Sequence, residues 1–155
     1  MATLQESLAQ LLPAWRDEVR DFIKEHGDDT VAKISLSQVY GGMRGVRALV
    51  CDTSNVEPDT GLVIRGIHVK NLTDRLPEEI FWLLLTGSLP DEHSLQTLQT
   101  DLRRRAPVPD YVWKVLEAMP KDAHPMCMLS TAILCMERES VFHQHYDEGM
   151  TKEHY

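Results

Sequence analysis

The chain has 155 residues and a mass of 17.7 kDa, with 43% hydrophobic and 26% charged residues. Those values fit one globular domain and exclude a disordered, collagen-like or disulfide-stapled chain. Sixteen Lys and Arg against 24 Asp and Glu give a net charge of −8, which argues against nucleic acid or a membrane as partner, because both reward a concentrated positive field.

The first 26 residues carry Leu4, Leu8, Leu11, Trp15, Val19 and Phe22 every three to four positions, the pattern of an amphipathic helix. Pro13 interrupts it, as a kink or as the start of a second helical piece. Lys24, His26 and Gly27 mark its end. This start is acidic from Glu6 onward and has no unbroken apolar run, so it matches neither a secretory signal nor an Arg-rich, acid-poor transit peptide. No segment reaches the ~20 apolar residues that span a bilayer. Cys51, Cys127 and Cys135 leave an odd thiol and read as reduced cysteines. Together these features lead to the expectation of a cytoplasmic protein.

Residues 31–70 read as a small β element in a helical chain. The run 31–40 is β-rich and loosely alternating, and two further runs, 46–56 and 62–69, flank Glu57-Pro58-Asp59-Thr60-Gly61. Such a connection between apolar runs predicts a hairpin. From residue 77 the pattern is helical. Pro77-Glu78-Glu79 opens a helix that Gly87 and Pro90 stop. Asp91 caps a second helix with Leu95, Leu98 and Leu102 on one face, ending in Arg103-Arg104-Arg105. A third spans about 109–119. A fourth starts near Pro125 and runs towards Ser140. Its residues Met126, Cys127, Met128, Leu129, Ala132, Ile133, Leu134, Cys135 and Met136 leave only Ser130 and Thr131 as polar breaks. A helix apolar all round needs cover on every side. Too few short helices are present to supply it, so the run 126–136 predicts a second subunit or a chain cut short at Tyr155.

Few constellations carry chemistry. Gly41-Gly42-Met43-Arg44-Gly45 offers backbone N–H groups beside a guanidinium, which suits phosphate. It has neither P-loop nor dinucleotide-fingerprint spacing, and on spacing alone a Gly-rich turn with a solvated Arg is the stronger reading. His124 with Cys127, and His143 with His145, lack the paired spacing of a zinc site, so no metal is expected. None of the seven histidines, His26, His68, His93, His124, His143, His145 and His154, sits in a nucleophile motif. Each reads as a surface or capping residue. Arg103 to Arg105 read as a helix-end charge cluster.

The run from Tyr40 to Ser54, YGGMRGVRALVCDTS, resembles the Y-G-G-M-R-G segment of dimeric, eukaryotic-type citrate synthases. The resemblance continues through Pro58-Asp59-Thr60-Gly61-Leu62-Val63-Ile64-Arg65-Gly66, through Leu76 to Gly87 (LPEEIFWLLLTG), and into His124-Pro125-Met126. It runs from the first helix to Tyr155. It implies a mostly α fold with a small hairpin near residues 31–70, here the N-terminal part, residues 1–155, of the family's large helical domain. The implied activity of the complete enzyme is condensation of acetyl-CoA with oxaloacetate to citrate and CoA, without a cofactor. The family's two catalytic histidines and its aspartate belong to the C-terminal portion, so no residue here inherits a catalytic role and the segment alone is expected to be inactive. One residue carries over: the Arg of G-G-M-R-G, which contacts CoA phosphates in the family, is Arg44. The resemblance also implies a homodimer built on the apolar helix 126–136 and the helix before it. Two other readings stand beside it: a segment of 2-methylcitrate synthase, which takes propionyl-CoA, and a non-catalytic helical association module.

Overall fold

The computed structural model describes residues 3–47 and 49–150. Seven α-helices and one small sheet follow in the order α1 (Leu4–His26), α2 (Leu36–Tyr40), β1 (Ser54–Glu57), β2 (Gly61–Ile64), β3 (Ile67–His68), α3 (Pro77–Thr86), α4 (Glu92–Arg105), α5 (Asp110–Ala118), α6 (Pro125–Cys135) and α7 (Val141–Asp147). Short 3-10 turns lie at Val69–Asn71 and Met136–Glu139. It divides into two compact units at Leu98, within α4.

In the first unit α1 is a single helix with Pro13 inside it, so Pro13 does not start a second piece. Thr3 and Glu6 cap it reciprocally, and Gly27 closes it through its N–H on the Ile23 carbonyl. The β1–β2 hairpin forms where the Pro-Asp-Gly connection places it, with Ser54 opposite Ile64 and Glu57 opposite Gly61. A second tight turn returns β2 to β3, pairing Ile64 with Ile67. Arg65 and Gly66 fill that turn at φ 45° and 80°, the two positive values of a type I′ hairpin. Ile64, Leu72 and Leu83 form the core of this unit, with Leu62, Ile67, Ile80, Leu84 and Leu89 packed on it. Helix α3 begins at Pro77 and ends at Gly87 (φ 83°), as its sequence signals require. Asp91 caps α4 by accepting from the Ser94 N–H at 2.7 Å.

Three expectations need correction. Residues 31–40 contain no strand: 31–35 are irregular and 36–40 form α2. The local signal is Ser35-x-x-Gln38, a capping box in which the Ser35 side chain accepts from the Gln38 N–H and Gln38 Oε1 accepts from the Ser35 N–H, and it outweighs β-propensity over one turn. Of the described residues in 46–56 only 54–56 are extended in the sheet. The fourth helix stops at Cys135, because Ser140 caps a separate helix, α7, through the His143 N–H.

In the second unit α5 packs along α6, and the Tyr111 hydroxyl donates to the Cys135 carbonyl at 3.0 Å. Met128, Ala132, Cys135 and Met136, spaced i, i+4, i+7 and i+8, are half-buried. The stripe Met126, Leu129 and Ile133 is 58%, 51% and 55% exposed, and Leu134 75%. Among the described residues the all-round apolar helix is thus covered on one side only.

Candidate functional site

The segment around Arg44 starts from α2, a helix of five residues that is too short to persist without caps. Its C-terminus closes in a Schellman motif. The Met43 N–H donates to the Gln38 carbonyl at 2.7 Å and the Gly42 N–H to the Val39 carbonyl at 3.3 Å, with Gly42 left-handed at φ 73°. Met43 is also left-handed, at φ 61°, a conformation that costs a β-carbon-bearing residue about 1 kcal/mol or more. A second turn follows at once: the Val46 N–H donates to the Met43 carbonyl at 3.1 Å, and Gly45 takes φ 74°. That is the pattern of a type II turn, with Arg44 and Gly45 in its two central places.

This geometry changes the phosphate argument. The N–H groups of Gly41, Gly42 and Met43 are spent on carbonyls of α2, so Gly41 and Gly42 do not offer open donors. They form a support. The Arg44 side chain projects from it, exposed and without an ion pair among the described residues. Arg47, three residues on, is exposed as well.

The far end of the segment is held by a residue that the sequence reading did not single out. Arg65, in the β2–β3 turn, donates from Nε and Nη2 to the Leu84 carbonyl at 3.0 and 2.8 Å, and from Nη1 to Asp52 Oδ2 at 2.9 Å. Its backbone N–H donates to the Thr53 carbonyl at 2.9 Å. The guanidinium carbon also lies 5.8 Å from the centre of the Trp15 ring, within cation–π range. One side chain therefore joins α1, the 52–53 segment, the hairpin and the end of α3. The available signal was Arg65-Gly66 between two apolar runs, which marks a hairpin turn but not what its first residue reaches.

Cys51, next to Asp52, is exposed, with Sγ 3.3 Å from Thr53 Oγ1. Hydrogen bonding from the Thr53 hydroxyl, supported by backbone bonding at Ser54 and Thr53, lowers its pKa to about 7.

The remaining candidates are spread apart. His124 caps α6, accepting from the Met126 N–H. Cys127 is exposed and Cys135 half-buried, so neither is the buried thiol that an apolar helix leads one to expect; α5 covers only one face of α6. His143 lies between Glu137 and Asp147, at 2.8 and 3.0 Å, while His145 is 3.6 Å from Glu148. His26 is 3.0 Å from Asp29. His68 receives the Lys70 N–H on Nδ1 and meets the Thr60 carbonyl through Nε2. His154 lies outside the described residues. Arg104 and Arg105 both pair with Asp101, at 2.5 and 2.9 Å. Among the described residues no group of three or more His, Cys, Asp or Glu could hold a metal ion, and no helix is long and apolar enough to cross a membrane.

The family model described as citrate synthase, C-terminal domain, matches residues 42–155. The chain belongs to the citrate synthase family. The mitochondrial citrate synthase of Saccharomyces cerevisiae is 38% identical over 99% of this chain and 34% of its own length. The peroxisomal citrate synthase of the same yeast is 37% identical over 99% of the chain and 35% of its own length. The mitochondrial 2-methylcitrate synthase of Yarrowia lipolytica is 34% identical over 98% and 35%. The chain thus spans about a third of the length of these relatives. The mostly helical architecture with one small antiparallel sheet agrees with the family. The cytoplasmic expectation is overturned, because these relatives are named mitochondrial or peroxisomal. Compartment is set by address segments that receptors read. The charge and hydropathy used to infer it describe the folded segment instead.

Proposed function

We propose that the chain is the N-terminal part of the large helical domain of a citrate synthase, whose complete form condenses acetyl-CoA with oxaloacetate to citrate and CoA. The observation that carries the reading is the family match over residues 42–155 together with an exposed Arg44 on a hydrogen-bonded turn. In this reading Arg44 binds a CoA phosphate, no cofactor takes part, and the segment contributes no catalytic His or Asp, so that alone it turns nothing over. The active form is a homodimer in which α6 and α5 meet a second subunit; the open Met126, Leu129 and Ile133 stripe supports that. Family membership favours an enzyme segment over a stand-alone association module. A relative named 2-methylcitrate synthase favours propionyl-CoA as a second reading for the acyl donor, and Arg44 would serve it equally, because the phosphates are common to both thioesters.

The test uses a family-length protein carrying this segment. A charge-assisted bond to phosphate contributes roughly 1.5–3 kcal/mol, or about tenfold to a hundredfold in affinity. Arg44→Ala should raise KM for acetyl-CoA by about that factor and leave KM for oxaloacetate nearly unchanged. Arg44→Lys should recover part of the loss, since an ammonium cannot form the bidentate fork. The effect should weaken with added salt at this exposed position. An unchanged acetyl-CoA KM in Arg44→Ala at low ionic strength would reduce Arg44 to a turn residue.

A further inference from the structure

Within four consecutive residues the backbone takes three positive φ values: Gly42 at 73°, Met43 at 61° and Gly45 at 74°. Met43 and Arg65 are the non-glycine residues with positive φ among those described. Such conformations persist where surrounding bonds over-determine them, and here bonds hold both ends. The Schellman motif of α2 holds the entry, and the Val46 N–H to Met43 carbonyl bond closes the turn. A β-carbon built on Gly45 would meet nothing within 4 Å. Packing does not demand a glycine there; the backbone angle does.

From this we infer that the turn 43–46 is a pre-set mount for the Arg44 guanidinium and that Gly45 is its positioning residue. The inference rests on the reading of Arg44 as a phosphate-binding residue and adds what makes it effective. An Arg on a loose loop must be ordered when ligand binds, which weakens binding, whereas an Arg on a turn already closed by hydrogen bonds avoids the backbone part of that cost. Alanine at position 45 would occupy open space, so its only effect is to disfavour the left-handed angle. The turn then spends part of its time open, with Arg44 displaced.

The experiment compares Arg44→Ala, Gly45→Ala, Gly45→Asn and the double variant Arg44→Ala/Gly45→Ala in a family-length protein, with acetyl-CoA and with acetyl-pantetheine, a thioester lacking the nucleotide phosphates. Gly45→Ala should raise KM for acetyl-CoA roughly fivefold and leave both kcat and KM for acetyl-pantetheine unchanged. Gly45→Asn should recover most of the loss, because Asn tolerates the left-handed region. The double variant should be no worse than Arg44→Ala, because Gly45 acts only through Arg44. Gly149→Ala is the control. Gly149 also has positive φ, 84°, with open space at its β-carbon, and its substitution should leave both KM values unchanged. If Arg44→Ala fails to raise KM for acetyl-CoA, the phosphate reading falls. If Arg44→Ala raises it and Gly45→Ala does not, the mount is overturned while Arg44 stands. A Gly45→Ala loss equal for both thioesters, or additive with Arg44→Ala, also overturns it, because it would report general damage.

Discussion

Cys51 shows how a short polar stretch sets the chemistry of one atom. The Thr53 hydroxyl, 3.3 Å away, bonds to the sulfur and favours its charged form, which places its pKa at about 7. The thiolate is the nucleophile, and it predominates above that pKa. Alkylation of Cys51, followed by mass spectrometry of the labelled peptide, should therefore reach half its maximal rate near pH 7. Thr53→Val removes the hydroxyl and should move the midpoint up towards the ordinary thiol range of about 8.5; a midpoint already there in the parent protein would contradict the assignment. Arg44 and Arg65 make the complementary point about arginines. The two lie in successive runs of the family resemblance, yet Arg65, with only 15% of its side chain exposed, serves the carbonyl of Leu84 and the carboxylate of Asp52. Arg44 is exposed and has no ion pair among the described residues, which leaves it open to a ligand.

At the scale of elements, the caps decide where the chain is helical. Helix α3 begins at Pro77 with Glu79 in its first turn. Glu79 is buried, accepts the Leu76 N–H on Oε2 at 2.8 Å and pairs with Arg75 through Oε1 at 3.1 Å. Glu79→Ala removes both bonds and orphans an N–H, which should cost about 1–3 kcal/mol. Glu79→Gln keeps an acceptor and should recover part of the loss. Urea unfolding followed by far-UV circular dichroism checks this, and equal midpoints for Glu79→Ala and the parent would deny Glu79 its capping role. The run 31–40 teaches the same lesson in reverse. Its Val and Ile residues suggest a strand by propensity alone, but Ser35 and Gln38 satisfy the first turn of a helix and Gly41-Gly42 its last.

Across the whole molecule the core is thin. Among the described residues six apolar side chains are buried: Ile64, Leu72, Trp82, Leu83, Leu98 and Val112. Val112 is the one that falls in the second unit, although that unit carries the most apolar helix. Burial of an Ile side chain contributes about 1.5–3 kcal/mol, and a buried carboxylate without a partner reverses that sign. Ile133→Asp in a family-length protein should therefore dissociate the proposed dimer, read as a halved mass in light scattering. A control at Asp59, an exposed position of the β1–β2 turn, changed to Asn should leave the mass unchanged. A dimer that survives Ile133→Asp would place the second subunit on another surface.

The sequence by itself determined the helical class, the C-terminal end of α1, the ends of α3 and α4, and the 57–61 hairpin, because caps and turns depend on residues within four positions of each other. It also determined the family, because several motifs in fixed order are jointly specific. The helix in 31–40 and the separation of α7 from α6 rest on local caps, Ser35 with Gln38 and Ser140 with His143, that the propensity reading passed over, whereas only the tertiary structure decided that Gly41 and Gly42 support a turn and do not expose donors. It alone decided that Arg65 ties α1, the 52–53 segment and α3 together. Arg65 and the Leu84 carbonyl are 19 positions apart, and a bond over that distance depends on how the hairpin packs on the helix. Local spacing carries no record of that packing.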